Sequence, residues 1–194
     1  MISPDEVADG SLTPREINTY GTTGLEFDRV ISQSWGGGRS NASGIPAGGT
    51  VTLAYTTTIA ADAPSGAFSK TTITDRGGNV LELWHDGAGH RLRSRQVVAG
   101  QVVVYDYSYN ADGQITGITY PAGNRLEASY DEAAANRLAR GNLLAVRRVP
   151  DATRGCNGVG STPCPALVTT YTYEPALQRV KTMTAPRGDR KSVV

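Results

Sequence analysis

From residue 71 onward, apolar and polar positions alternate with a period of two, in short runs broken by Asp, Asn and Gly. That period marks strands with one face toward a core, and the interrupting residues are those that turn the backbone. The pattern predicts strands over residues 71–74, 80–84, 91–98, 101–109, 115–120, 125–130, 143–149 and 168–173. The run 101–109 is the strongest: Val103, Tyr105, Tyr107 and Tyr109 share one face, and Val104, Asp106, Ser108 and Asn110 the other. Residues 110–113 (NADG) predict a hairpin turn, with Gly113 where the backbone needs positive φ. Residues 131–138 (DEAAANRL) read as one or two helical turns set into a hairpin. Before residue 70 the signals are weaker. Residues 50–59 (TVTLAYTTTI) predict a strand, 13–20 and 25–35 are candidates, and the glycine-rich stretches 36–38 and 44–49 are loops. The chain thus divides into an N-terminal β-rich segment, 1–69, and a hairpin-rich segment, 70–194, with a cysteine-loop insertion near 151–167.

Composition narrows the class. With 39% hydrophobic and 19% charged residues the chain can bury a core and is not a disordered tail. Its 23 Gly, 10 Pro and 9 Tyr favour strands and turns over a helical bundle. A net charge of +1 lacks the basic footprint of a nucleic-acid partner. No apolar run approaches the ~20 residues of a helical membrane span, and residues 1–10 (MISPDEVADG) carry no export leader.

Candidate chemistry is sparse. Cys156 and Cys164 bracket a loop of small and turn-forming residues. In an exported protein they form a disulfide, and in a reducing compartment two free thiols. A zinc site needs four ligands, and the two histidines, His85 and His90, lie far from both cysteines in sequence. Ser108-x-Asn110-x-Asp112-Gly113 opens like a calcium loop, but Thr119 stands where the closing glutamate belongs. Arg91, Arg93 and Arg95 alternate along one strand face, which suits an acidic glycan or partner, or equally a solvated strand edge. No Gly-x-Ser-x-Gly or His-Glu-x-x-His motif is present, so no catalytic residue and no cofactor is expected.

The turns repeat beyond composition. His85-Asp86 leads to Gly89, Tyr109-Asn110 to Gly113, Tyr130-Asp131 to Gly141 after an insert, and Tyr173-Glu174 to a turn without glycine. Successive aromatic positions lie 24, 21 and 43 residues apart. Stacked hairpins of this kind form a continuous sheet that no single hairpin could hold together. The pattern resembles the YD repeat of the Rhs (rearrangement hotspot) family, related to the teneurin and insecticidal Tc-toxin shells. The match is best in YDYSYNADGQITGITYPAGNRLEASYD (105–131) and YTYEPALQRVKTMTAPRG (171–188). HDGAGHRLRSR (85–95) is a weaker copy with His85 in place of the tyrosine.

The resemblance implies an all-β array of antiparallel hairpins forming part of a spiralling β-sheet shell. It implies a non-enzymatic, structural segment of an exported protein, secreted or at the cell surface, linked to toxin delivery or interbacterial competition. Partners would be the remainder of a larger Rhs-type polypeptide or an encapsulated toxin domain. The family's self-cleaving segment is built on an Asp-Pro motif, and this sequence contains no Asp-Pro dipeptide. An alternative reading is a surface carbohydrate-binding module that stacks sugars on Tyr105, Tyr107 and Tyr109. Neither end resembles a capping repeat, so the chain is expected to be a fragment of a longer array.

Overall fold

The computed structural model describes residues 16–36, 48–98, 100–136, 138–151, 164–186 and 190–192. The fold is all-β. In chain order the strands are β1 (Glu16–Tyr20), β2 (Val30–Trp35), β3 (Thr50–Thr56), β4 (Ser69–Thr74), β5 (Val80–His85), β6 (Arg91–Val98), β7 (Gln101–Tyr109), β8 (Ile115–Thr119), β9 (Arg125–Tyr130), β10 (Leu143–Val149), β11 (Leu167–Tyr173), β12 (Val180–Thr184) and β13 (Arg190–Ser192). A single 3-10 turn, Gly24–Glu26, is the one helical element among the described residues. It occupies the start of the predicted strand 25–35, where Gly24 (φ 59°) and Asp28 (φ 56°) turn the backbone.

Two units are distinguished by their internal contacts, residues 1–103 and 104–194. The boundary drawn on composition between residues 69 and 70 falls inside β4, which pairs with β3. Within each unit the strands pair antiparallel with their chain neighbours, so each is a run of hairpins. The insert at 131–138 is not a helix: its described residues form bends and turns. The loop must bring Asp131 N–H within 2.9 Å of the Asn142 carbonyl. The Asn136 side chain also accepts the Leu138 N–H at 3.0 Å, a local bond that competes with helix formation.

Register sorts each unit's side chains onto two unlike faces. In the first unit, Leu53, Ile73 and Leu81 form one cross-strand row, and Tyr55, Thr71 and Leu83 the next on the same face. The opposite face carries the rows Ala54–Thr72–Glu82–Arg95 and Thr56–Lys70–Trp84–Arg93. In the second unit, Tyr107–Ile118–Leu126–Arg148–Leu167 and Ala128–Val146–Thr169 lie on one face. Ser108–Gly117–Glu127–Arg147–Val168 lie on the other.

The buried core is small. Trp84, 4% exposed, is the one buried hydrophobic side chain among the described residues. It sits on the charged face, with Lys70 Nζ 5.6 Å from its ring centre and Arg93 opposite it in the ladder. The long stems of such cations cover an aromatic ring while their heads stay wet. Glu82 holds Lys70, and with it Arg95, in place: its carboxylate accepts from Lys70 Nζ at 3.0 Å and Arg95 Nη1 at 2.7 Å. Burial works against ionising Glu82, and the bonds from Lys70 and Arg95 outweigh it, holding the carboxyl below its ordinary pKa.

Candidate functional site

The repeated turns share one hydrogen-bond scheme. At Asp86, the backbone N–H donates to the His90 carbonyl (2.9 Å) and Gly89 N–H donates back to the Asp86 carbonyl (3.1 Å). Asp86 Oδ1 accepts the Ala88 and His90 N–H groups at 2.9 and 2.8 Å. Asn110 repeats each element: its N–H reaches the Gln114 carbonyl, Gly113 N–H returns to it, and Oδ1 accepts Asp112 and Gln114 N–H at 3.1 and 2.9 Å. An acid or amide two bonds from the backbone thus satisfies the donors of a tight turn, and the glycine three residues later takes the left-handed conformation. The φ values are 89° at Gly89, 77° at Gly113 and 87° at Gly141. Because Asp75 does the same for Gly77 and Asn79, residues 75–79 are a further copy. Sequence reading passed over it as a repeat because Thr74 stands where the aromatic belongs.

The two departures obey the same logic. Asp131 keeps the closing bonds, to the Asn142 carbonyl at 2.9 Å and from Gly141 N–H at 3.0 Å, with the whole insert held between them. Glu174 closes a turn one residue longer, from its N–H to the Arg179 carbonyl, and its longer side chain accepts the Ala176 and Leu177 N–H groups. Gln178 (φ 54°) takes the left-handed conformation that glycine takes elsewhere.

The aromatic residue has a separate task. Just after the turn of each hairpin closed by His85, Tyr109, Tyr130 or Tyr173, the return strand carries one extra residue, a β-bulge. His85 pairs with Arg91 while Trp84 pairs with Arg93, so Leu92 is left over. In the same way Tyr109, Tyr130 and Tyr173 pair with Ile115, Leu143 and Val180, leaving Thr116, Leu144 and Lys181. The Tyr130 hydroxyl donates to the Ile115 carbonyl at 2.9 Å, and Tyr173 to the Leu143 carbonyl at 3.0 Å. Each reaches the first residue of the preceding hairpin's return strand, at its bulge. Tyr55 makes an equivalent bond to the Val30 carbonyl at 2.8 Å. Tyr55, Tyr130 and Tyr173 therefore each tie their own hairpin to the one before it. Tyr173→Phe removes that donor from a half-buried carbonyl, and is expected to cost about 1 kcal/mol. Faster hydrogen exchange at the β10–β11 pairing would register it, and unchanged exchange would mean that ring packing alone does the work.

Side chains at the turn ends add a second set of ties within the second unit. Asn110 Nδ2 donates to Glu132 Oε1 (2.8 Å), Gln114 Nε2 to the Gly141 carbonyl (2.9 Å), and Asn142 Nδ2 to Gln178 Oε1 (2.8 Å). Arg140 grips Asp112 with two bonds of 3.1 and 2.9 Å.

The remaining candidates are placed as follows. Arg93 and Arg95 lie on the face of Trp84 and Glu82, while the bulge pairs Arg91 with His85 instead of continuing their row. Arg93 donates to the Asp62 carbonyl at 3.2 Å, and Arg95 is engaged by Glu82. Tyr107 is half-buried in the row with Ile118, and Tyr105 meets Tyr120 edge to face at 5.9 Å between ring centres. His90 Nδ1 lies 2.9 Å from Asp86 Oδ2. Among the described residues no three His, Cys, Asp or Glu side chains gather as a metal site would need. No described helix is long and apolar enough to cross a membrane. Cys164 is disulfide-bonded, and Cys156 lies outside the described residues.

Fold and turns together define an all-β array of antiparallel hairpins with a recurrent acid-capped turn. No protein-family profile matches the chain, and no curated protein does. A similar solved structure is the crystal structure of TcdB2-TccC3-Cdc42, at 14% identity and a TM-score of 0.30. The similarity covers 92% of this chain, which spans 11% of the matched one.

Proposed function

We propose that the chain is a non-enzymatic structural segment of an exported Rhs/YD-repeat protein, whose hairpins build a shell or surface scaffold linked to toxin delivery or interbacterial competition. The observation that carries this reading is the tyrosine tie. Tyr130 and Tyr173, the residues that resemble the Tyr of the YD repeat, each bond the preceding hairpin. The motif thereby acts between repeats, as a scaffold requires. The row of Tyr107, Ile118, Leu126 and Leu167, interrupted by Arg148, along one face supports a segment that packs against more of the same polypeptide, or against a toxin domain enclosed by it. Export to an oxidising compartment agrees with the disulfide at Cys164.

Size-exclusion chromatography and a denaturant titration of the purified chain test the proposal. Association through open strand edges, or a broad unfolding transition, is the expected result. A monodisperse monomer with one sharp transition would show a self-sufficient domain and defeat it. A glycan array addresses the carbohydrate-binding alternative. Specific binding that disappears on Tyr105→Ala or Tyr107→Ala would establish a recognition module in place of a scaffold.

A further inference from the structure

Among the bulged repeats at His85, Tyr109, Tyr130 and Tyr173, one departs from the other three in the chemistry of its closing residue. His85 occupies the position held by Tyr109, Tyr130 and Tyr173, at the end of the strand and opposite the bulge. We propose that the β5–β6 hairpin is an acid-sensitive latch, in which protonation of His85 opens the turn end while the tyrosine-closed hairpins stay shut.

The surroundings of His85 disfavour a positive charge. Its side chain is half-buried on the face of Leu81 and Leu83. Across the β6 side its ladder partner is Arg91, so a protonated ring would put two like charges opposite each other. On the β4 side its partner is the uncharged Ser69. Lys70 belongs to the opposite face, where its Nζ is bonded to Glu82. Among the described residues the acid that acts on it is Asp86, whose carboxylate is already engaged by the Ala88 and His90 N–H groups and by His90 Nδ1.

Burial, then Arg91, lower the His85 pKa, and Asp86 only partly offsets them. The folded hairpin therefore binds the proton less tightly than the open one, whose histidine titrates near its ordinary value of about 6.5. The stabilisation is complete above that value and drains away as the pH falls through it toward the folded pKa. Opening would also release the 57–68 loop, because the Phe68 N–H is anchored on the His85 carbonyl at 2.8 Å. Tyrosine stays uncharged throughout this range, so the other hairpins have no corresponding response.

Hydrogen exchange followed by mass spectrometry on the full chain, at about pH 7.5 and about pH 5.5, tests the latch after correction for intrinsic exchange. Opening of residues 85–91 should rise about threefold on acidification, while 109–115 and 173–180 hold steady. His85→Tyr should abolish the response and His90→Gln should retain it. Equal loosening of all the hairpins, or loss of the response in His90→Gln alone, would overturn the proposal. A direct NMR titration of the His85 ring serves independently of any variant. A midpoint at or above the ordinary histidine value would also overturn it.

Discussion

Trp84→Ala is expected to cost about 3–4 kcal/mol, the range for deleting a buried aromatic side chain. The loss should appear as collapsed amide protection across β4, β5 and β6. Trp84 is the one buried hydrophobic side chain among the described residues, so no neighbouring apolar cluster stands ready to fill the space it leaves. What surrounds it is charged: Lys70 over the ring, Arg93 beside it, and the Lys70–Glu82–Arg95 cluster on the same face. Removing the indole leaves the stems of these cations without a surface to cover, and water enters between them and Glu82. Trp84→Phe keeps a ring and should recover part of the loss. Protection in Trp84→Ala equal to that of the parent would show that the sheet is held by its ladder bonds alone.

Gly113→Val is expected to cost about 2–3 kcal/mol in the β7–β8 hairpin, since a β-branched residue resists the left-handed backbone. The turn cannot relax easily, because the Gly113 N–H closes on the Asn110 carbonyl at 3.0 Å while Asn110 Oδ1 holds the two neighbouring N–H groups. Gly113→Asn should be much milder, as asparagine visits that conformation at modest cost. Gly87 offers a control within a sister turn. Its φ is not in the left-handed range, and a Cβ there meets nothing within 4 Å. Gly87→Ala should leave hydrogen exchange of the β5–β6 hairpin unchanged, and a loss there as large as that for Gly113→Val would assign the effect to side-chain bulk instead of backbone conformation.

Strands were legible in this sequence wherever alternation was uninterrupted. Residues 101–109 and 91–98 were predicted to the residue, because period-two patterning depends only on which side of the sheet each Cβ faces. The bulges were not legible. One surplus residue such as Leu92 or Thr116 shifts the alternation for a single step, and the three arginines 91, 93 and 95 therefore read as one row although Arg91 pairs with His85. Strands β12 and β13 were passed over because VKTMT offers a single branched apolar residue, Val180, and no aromatic, and RKS offers neither. The turns were legible as a recurring pattern, but the aromatic received more weight than it deserves in defining them. Asp75 closes its turn with no aromatic before it, and Glu174 compensates for a longer loop with a longer side chain. What no sequence pattern reveals is the acceptor of each tyrosine hydroxyl, because that carbonyl belongs to another hairpin.

That reach has a direction. Tyr55, Tyr130 and Tyr173 look back along the chain by 25, 15 and 30 residues, and none of these bonds points forward. On a ribosome, where the N-terminal part emerges first, the acceptor for each of these tyrosines exists before the tyrosine does. Growth by one hairpin completes a contact without disturbing any already made. Trimming from the two sides is correspondingly unequal. Loss of β12 and β13 leaves all three hydroxyls with their acceptors, whereas loss of β1 and β2 strands Tyr55. A lineage that shortens such an array keeps these three tyrosine bonds when it trims β12 and β13, and breaks one when it trims β1 and β2.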